Sequence, residues 1–191
     1  MNDFLTDYLQ SLQGISVLSH EDEWALAAKV AQGDEQAVDK LVRHNLRFVV
    51  FVVRPWHRNI ARATLQAPKV YFYDTGLVQG DQGVKFENLV ACHLLKNTQW
   101  QQDVSGADVN LHYIRTKDDS EIDFCISEGN TLTHLIECKL SDTKPHRALG
   151  RFAEQWPNAQ SIQLVRECKA ESNTGNMQIR DAAQWLAALQ V

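Results

Sequence analysis

Hydrophobic positions in the first fifty residues recur at helical spacing. Leu5, Tyr8, Leu9 and Leu12 make one stripe, and Trp24, Leu26, Ala27 and Val30 a second. Ala37, Val38, Leu41, Val42 and Leu46 make a third, which carries helix towards Val49 and Val50. The punctuation agrees. Gly14 interrupts, Ser19 with Asp22 three residues on is a capping-box variant, and Gly33-Asp34 ends one helix and caps the next. From Phe51 the pattern changes to a strand end and a basic connector. Pro55 and Pro68 keep helix from running through it. A buried strand, Val70 to Tyr73, follows, then a turn at Asp74-Thr75-Gly76.

The period lengthens again at Phe86, where Phe86, Leu89, Val90 and Leu94 make a helix stripe with Glu87 one residue off it. Val109 to Arg115 alternates as a strand, and Ser120 to Asp142 reads as two short strands joined at Gly129-Asn130. A helix starts at Pro145 and carries Ala148, Leu149, Phe152 and Trp156; Ser161 to Val165 is a further strand. Ala170 to Asn176 reads as a mobile loop, and Ile179 to Leu189 as a closing helix. Trp24, Trp56, Trp156 and Trp185 sit in apolar stripes or beside prolines and are expected in the core. The order α-β-β-β-α-β-α predicts an α/β (α+β) domain, a central mixed sheet with flanking helices, preceded by a small all-helical segment. The divisions are 1–50, a helical segment; 51–85, a basic connector with the first strand; and 86–191, the sheet domain.

Composition narrows the classes. A chain of 191 residues can build one good core or two small domains. No apolar run approaches the roughly 20 residues of a membrane span. The opening MNDFLTDYLQSL is acidic and lacks the basic-then-apolar order of a secretory signal. Cys92, Cys125, Cys138 and Cys168 show no C-x-x-C spacing, which points to reduced thiols in a cytoplasmic protein. A net charge of -5 excludes a broadly basic DNA-coating protein. Yet residues 51–73 carry Arg54, Arg58, Arg62 and Lys69 and no acid. That island suits phosphate contacts and suits an ordinary solvated face equally well.

Candidate chemistry lies in the strand pair. Asp123 sits in its first strand, and Glu137 and Lys139 sit two apart in its second, so alternation points that glutamate and lysine one way and Cys138 the other. Two carboxylates and a lysine on neighbouring strands suit one Mg²⁺ beside one ammonium. That is equipment for metal-assisted phosphodiester hydrolysis; solvated side chains are the plain alternative. By the same parity Cys125 shares the face of Asp123 and diverges from Cys138, so the two thiols stay unbridged. His93 is expected to pack on the first helix of the sheet domain, and His112 and His134 to line the sheet. Gly80-Asp81-Gln82-Gly83-Val84-Lys85 fails the spacing of a G-x-x-x-x-G-K-[ST] loop, so no nucleotide site is expected.

Two resemblances add to this reading. Tyr8-Leu9, the Leu18-Ser19-x-Glu21-x-Glu23 step, Gly33-Asp34-x-x-Ala37 and Asn45-Leu46-Arg47-Phe48-Val49-Val50 resemble the junction of regions 1.2 and 2.1 in housekeeping and heat-shock bacterial sigma factors. That likeness implies promoter DNA or core RNA polymerase as partners. The sigma pattern stops after Val50, before the aromatics that melt the promoter, which argues against a working sigma factor. The second resemblance spans Arg54 to about Arg166. Arg54-Pro55-Trp56-His57-Arg58-Asn59, Pro68-Lys69-Val70-Tyr71-Phe72-Tyr73-Asp74-Thr75-Gly76-Leu77, Phe86-Glu87-Asn88-Leu89-Val90, Tyr113-Ile114-Arg115-Thr116, Glu121-Ile122-Asp123-Phe124 and Ile136-Glu137-Cys138-Lys139 carry it. They are similar to the uncharacterised C-terminal domain, family 4143 of the domains of unknown function, of bacterial AAA-type ATP-binding proteins.

This second likeness implies a restriction-endonuclease-like core, with Glu87, Asp123, Glu137 and Lys139 on the E…D…E-x-K positions of PD-(D/E)xK phosphodiesterases. There Asp123 and Glu137 would ligate Mg²⁺, Glu87 would hold an outer water or a second ion, and Lys139 would position the attacking water. Arg54, Arg58 and Arg62, from the basic island, are the candidate DNA contacts. The chain thus reads as a chimera joined near Val50. Its function is that of a nuclease-like domain without the ATPase core, or of a non-catalytic interaction module, or of a sigma-like transcription module.

Overall fold

The computed structural model describes residues 18–45, 49–57, 67–116, 120–141 and 144–189. The stripe at Leu5 to Leu12 and the arginines Arg58 and Arg62 therefore lie outside the described residues. The chain divides into two compact units, Met1–Phe51 and Val52–Val191.

The first unit holds two described helices, α1 (His20–Val30) and α2 (Glu35–Asn45). Ser19 Oγ accepts from Asp22 N at 3.1 Å, as an N-cap does, and donates its own proton to Asp22 Oδ2 at 2.6 Å. Gly33 closes α1 at φ 85°, and Asp34 Oδ1 then caps α2 by accepting from Gln36 N and Ala37 N. Two expectations fail here. The third stripe does not carry helix to Val50: α2 ends at Asn45 and Val50 opens a strand, because the β-branched and aromatic run Val49-Val50-Phe51-Val52-Val53 favours extended backbone. Trp24 is no core residue but 70% exposed, since two short helices bury only a narrow seam, here Leu26 and Ala37.

The second unit is built on a sheet. Its strands are β1 (Val50–Pro55, which begins just before the unit boundary), β2 (Lys69–Phe72), β3 (Val109–Arg115), β4 (Glu121–Glu128), β5 (Thr131–Lys139), β6 (Gln160–Val165), β7 (Ser172–Thr174) and β8 (Met177–Asp181). The helices are α3 (Gln82–Ser105), α4 (Arg147–Gln155) and α5 (Ala182–Ala187), with a short 3-10 turn at Thr75–Leu77. Sheet order is β2-β1-β3-β4-β5-β6-β8-β7. The β3–β4–β5 meander is antiparallel, whereas β1 on β3, β5 on β6 and β6 on β8 are parallel. This is the mixed α/β architecture that the element order predicted.

Helix α4 covers one face, where Ile114, Ile122, Cys125, Leu135, Leu149 and Phe152 form a cluster. Helix α3 packs on β2, β3 and β5 through an apolar side that includes Phe86, Val90, Ala91 and Leu94, all buried. It begins four residues before Phe86, because Asp81 Oδ1 accepts from Val84 N at 3.0 Å, and it stops at Gly106, whose φ of 65° is left-handed.

The chain's end differs from expectation. Residues 172–181 are not a loop running into a helix but a β7–β8 hairpin turning at Gly175 (φ 62°). Met177–Asp181 adds in parallel to β6 and buries Ile179; Asp181 then caps a shorter α5 by accepting from Gln184 N. Sheet pairing overrode a helical period that began only at Ala182.

One irregularity sets up the site. Between the β3–β4 pairs His112–Cys125 and Ile114–Ile122, the two residues Asp123 and Phe124 stand opposite the single residue Tyr113. This is a β-bulge on β4, and it breaks side-chain alternation. Ile122 and Cys125 both join the α4-side cluster, and Asp123 and Phe124 turn to the α3 side.

Candidate functional site

On the α3 side the bulge brings acids from two elements around one lysine. Lys69 Nζ lies 2.5 Å from Glu121 Oε1, 3.1 Å from Glu87 Oε1 and 3.7 Å from Asp123 Oδ1. Tyr71, two residues along β2 and so on the same face, donates its hydroxyl to Glu87 Oε1 at 2.6 Å. The Tyr113 and Phe124 rings pack beside the ammonium, 5.4 and 5.9 Å from their centroids. Asn88, next to Glu87 on α3, ties the end of β2 down: it accepts from Phe72 N at 2.8 Å and donates to Phe72 O at 2.9 Å. Arg115 pairs with Glu121 from the outer side at 2.5 Å.

Glu137 and Lys139 belong to a second group. Alternation from Leu135 points both to the α4 face, and there Lys139 Nζ donates to Glu137 Oε1 at 2.7 Å. His146 Nδ1, at the start of α4, stands 3.2 Å from the same oxygen but out of line for a hydrogen bond. Gln163, opposite Glu137 on β6, holds that start in place by accepting from His146 N and donating to Lys144 O. Glu137 is 3% exposed, and its Oε2 is buried with no hydrogen-bond partner.

The two groups touch at the rim where β4 and β5 part. Asp123 Oδ2 accepts from Cys138 N at 2.9 Å, just beyond the Phe124–Ile136 pair. Burial, then the charges of Glu137 and Glu87, push the Asp123 carboxyl up to about 7 against the pull of Lys69 and the Cys138 N–H. Burial alone would lower the Lys69 amine, yet Glu87, Asp123 and Glu121 together hold it above the usual range. Burial raises the Tyr71 phenol strongly, helped by Glu87, so it stays a donor. Burial and the same acids keep the Cys138 thiol protonated, and all four cysteines are free.

A family model described as Domain of unknown function (DUF4143) matches residues 82–188, more than half of the chain. The chain belongs to the DUF4143 family. No solved structure matches it. The DUF4143 span contains Glu87, Glu121, Asp123, Glu137 and Lys139; Lys69 and Tyr71 precede it.

Of the residues singled out in the sequence, the structure thus joins Glu87 with Asp123, and Glu137 with Lys139, as two groups with one shared rim. Arg54 lies exposed on β1. His93 is exposed on α3, with Nδ1 2.9 Å from Leu89 O, rather than packed. His134 sits beside Thr133, and His112 Nδ1 is buried without a partner. As for Mg²⁺, among the described residues no group of three or more His, Cys, Asp or Glu is arranged to hold a metal ion. As arranged, Glu87, Asp123 and Glu137 do not form the three-carboxylate centre of the expectation. Lys69 takes the place between the first two, and the third faces the other way. Asp123 left the face of Glu137 because the bulge turned it.

Sequence reasoning missed Lys69, Tyr71 and Glu121. The available signal was the Lys69-x-Tyr71 alternation in a strand short enough to be an edge, and the Glu121-x-Asp123 alternation facing it. Counting Lys69 among the basic island of residues 51–73 hid it.

Proposed function

We propose that the DUF4143 domain of this chain is a non-catalytic interaction module of an AAA-type ATP-binding protein. In this reading it keeps the outline of a nuclease-like acid site without its chemistry. One observation carries the reading: a lysine ammonium, 15% exposed at its side chain, already stands between Glu87 and Asp123, two of the acids that a phosphodiesterase would present to metal and substrate. Oxygens engaged by that ammonium are withheld from a hard cation with octahedral demands. The first test is cleavage of DNA in the presence of Mg²⁺ or Mn²⁺. Wild type and Glu137→Ala are expected to give the same background, and neither ion is expected to move the melting temperature. Cleavage by wild type that Glu137→Ala abolishes would sink the reading.

A second reading, Mg²⁺-dependent phosphodiester hydrolysis on DNA, is favoured by the buried, unpartnered Glu137 Oε2. A bare carboxylate oxygen away from water calls for a cation or a proton donor. Lys139 would then steady charge on a phosphate, with Arg54, Arg58 and Arg62 tracking the backbone. The same cleavage assay decides between the two. The sigma-like segment, residues 1–50, is a separate proposal as a polymerase- or promoter-binding element. A pull-down with core RNA polymerase that retains the wild-type chain would support it, and one that retains nothing would remove it.

A further inference from the structure

At the C-terminal end of α4, the end remote from His146, lies a cavity of about 190 Å³. Trp56, Leu132 and Trp156 wall it, and the two indoles meet edge to face with centroids 5.6 Å apart. Three elements hold those walls. Trp56 N donates to Tyr113 O at 2.8 Å, which carries the β1–β3 pairing one residue further. Trp156 stacks on Phe152 of α4, and Leu132 is buried on β5. None of the residues lining the cavity is charged. Its polar groups are unpaired. Trp156 Nε1 is buried with no hydrogen-bond partner, and the side-chain amides of Asn130, Gln155 and Asn158 at the rim make no hydrogen bond among the described residues. An indole N–H shut away from water without an acceptor costs free energy, so the site lacks one acceptor.

We propose that this cavity docks a proline-containing extended segment of a partner protein, with one prolyl ring seated against Trp56 and Trp156. The inference rests on the interaction-module reading above and deepens it, because it names the partner's chemistry. Size sets the first limit. A dry cavity of about 150 Å³ holds benzene, so this one takes a single ring while the rest of the ligand runs outside, across the amides. A lining without charge calls for an uncharged ligand. Amides that both donate and accept match a peptide backbone. Proline meets the remaining demand. It has no N–H to bury unpaired, its carbonyl is a free acceptor for the Trp156 N–H, and its extended backbone is set before binding.

The test titrates the full, isotope-labelled chain with an acetylated and amidated oligoproline and reads the indole N–H resonances. Those of Trp56 and Trp156 are expected to shift together and to saturate, and that of Trp24, 70% exposed, to stay in place. Trp156→Phe keeps a ring and removes the N–H, and is expected to bind about tenfold more weakly. The double variant Asn130→Ala with Asn158→Ala changes only exposed rim positions, so it serves even if Trp156→Phe fails to fold; it is expected to weaken binding at least about threefold. No saturable shift at Trp56 and Trp156, a shift at Trp24 alone, or variants that bind like wild type overturn the proposal. So does a cello-oligosaccharide that moves those two resonances where oligoproline moves neither. The two claims fail separately. A chain that binds oligoproline yet cleaves DNA loses the non-catalytic reading and keeps this site. A chain that ignores oligoproline and cleaves no DNA loses this site alone.

Discussion

Asp123 carries a strained charge, and the strain has a sign. Its ordinary value is 3.8, and the folded value is pushed up to about 7 by burial and by Glu137 and Glu87. The folded chain therefore holds this proton where the unfolded chain has released it, and stability falls as pH rises between those values. The penalty is absent below the lower value and complete above the upper one. Asp123→Asn is expected to remove it, stabilising the chain at pH 8 by on the order of 2–4 kcal/mol and flattening the melting temperature between pH 4 and pH 8. Thermal melts of both chains across that range check this; parallel curves would mean that Asp123 is ionised at no cost. Lys69 works in the opposite direction. Its amine is held above its usual range, so it stays charged throughout that window and adds no pH dependence there.

The local element that fixes the site is the join between β2 and α3. β2 is only four residues long, Lys69–Phe72, yet it delivers both Lys69 and Tyr71 to Glu87. Asn88 makes that delivery repeatable, because its amide copies a strand partner and satisfies both backbone groups of Phe72 from a buried position. Asn88→Ala leaves the Phe72 N–H without its partner and Phe72 O with only the weak Cys92 thiol donor, and should cost about 1–3 kcal/mol. Denaturant unfolding measures the loss. A change below about 0.5 kcal/mol would show that β2 is held by something else. The β4 bulge is the other device. Without the extra residue opposite Tyr113, Asp123 would keep the alternation of Cys125 and face Leu135 and Glu137 instead of Lys69.

For the chain as a whole, stability and solubility move in opposite directions with pH. Net charge is -5 at pH 7, and the sequence pI is about 5.8. Acidifying from pH 8 towards that value relieves Asp123 but also removes the charge that keeps molecules apart. Light scattering is expected to rise to a maximum near the pI while the melting temperature still climbs; scattering independent of pH would contradict this. Charge also bears on partners. A chain this acidic meets nucleic acid only through a local patch, so the island around Arg54 would have to supply nearly all of any DNA affinity. No described helix is long and apolar enough to cross a membrane.

Legibility in the sequence followed the range of the forces involved. Helix caps at Ser19 and Asp34, the Gly129 turn and the alternation of β3, β4 and β5 are set by neighbours a few residues apart, so pattern alone located those elements and the mixed sheet they imply. The acids themselves were also visible, as was the pairing of Glu137 with Lys139, because two residues on one strand share a face. Their grouping was not. Whether Asp123 joins Glu137 or Lys69 depends on one bulge, and β8 became a strand because β6 offered it a parallel edge. Neither leaves a mark in the local sequence. A side chain's charge is written in the chain, but which opposite charge it meets is settled by backbone register and by elements that arrive from tens of residues away.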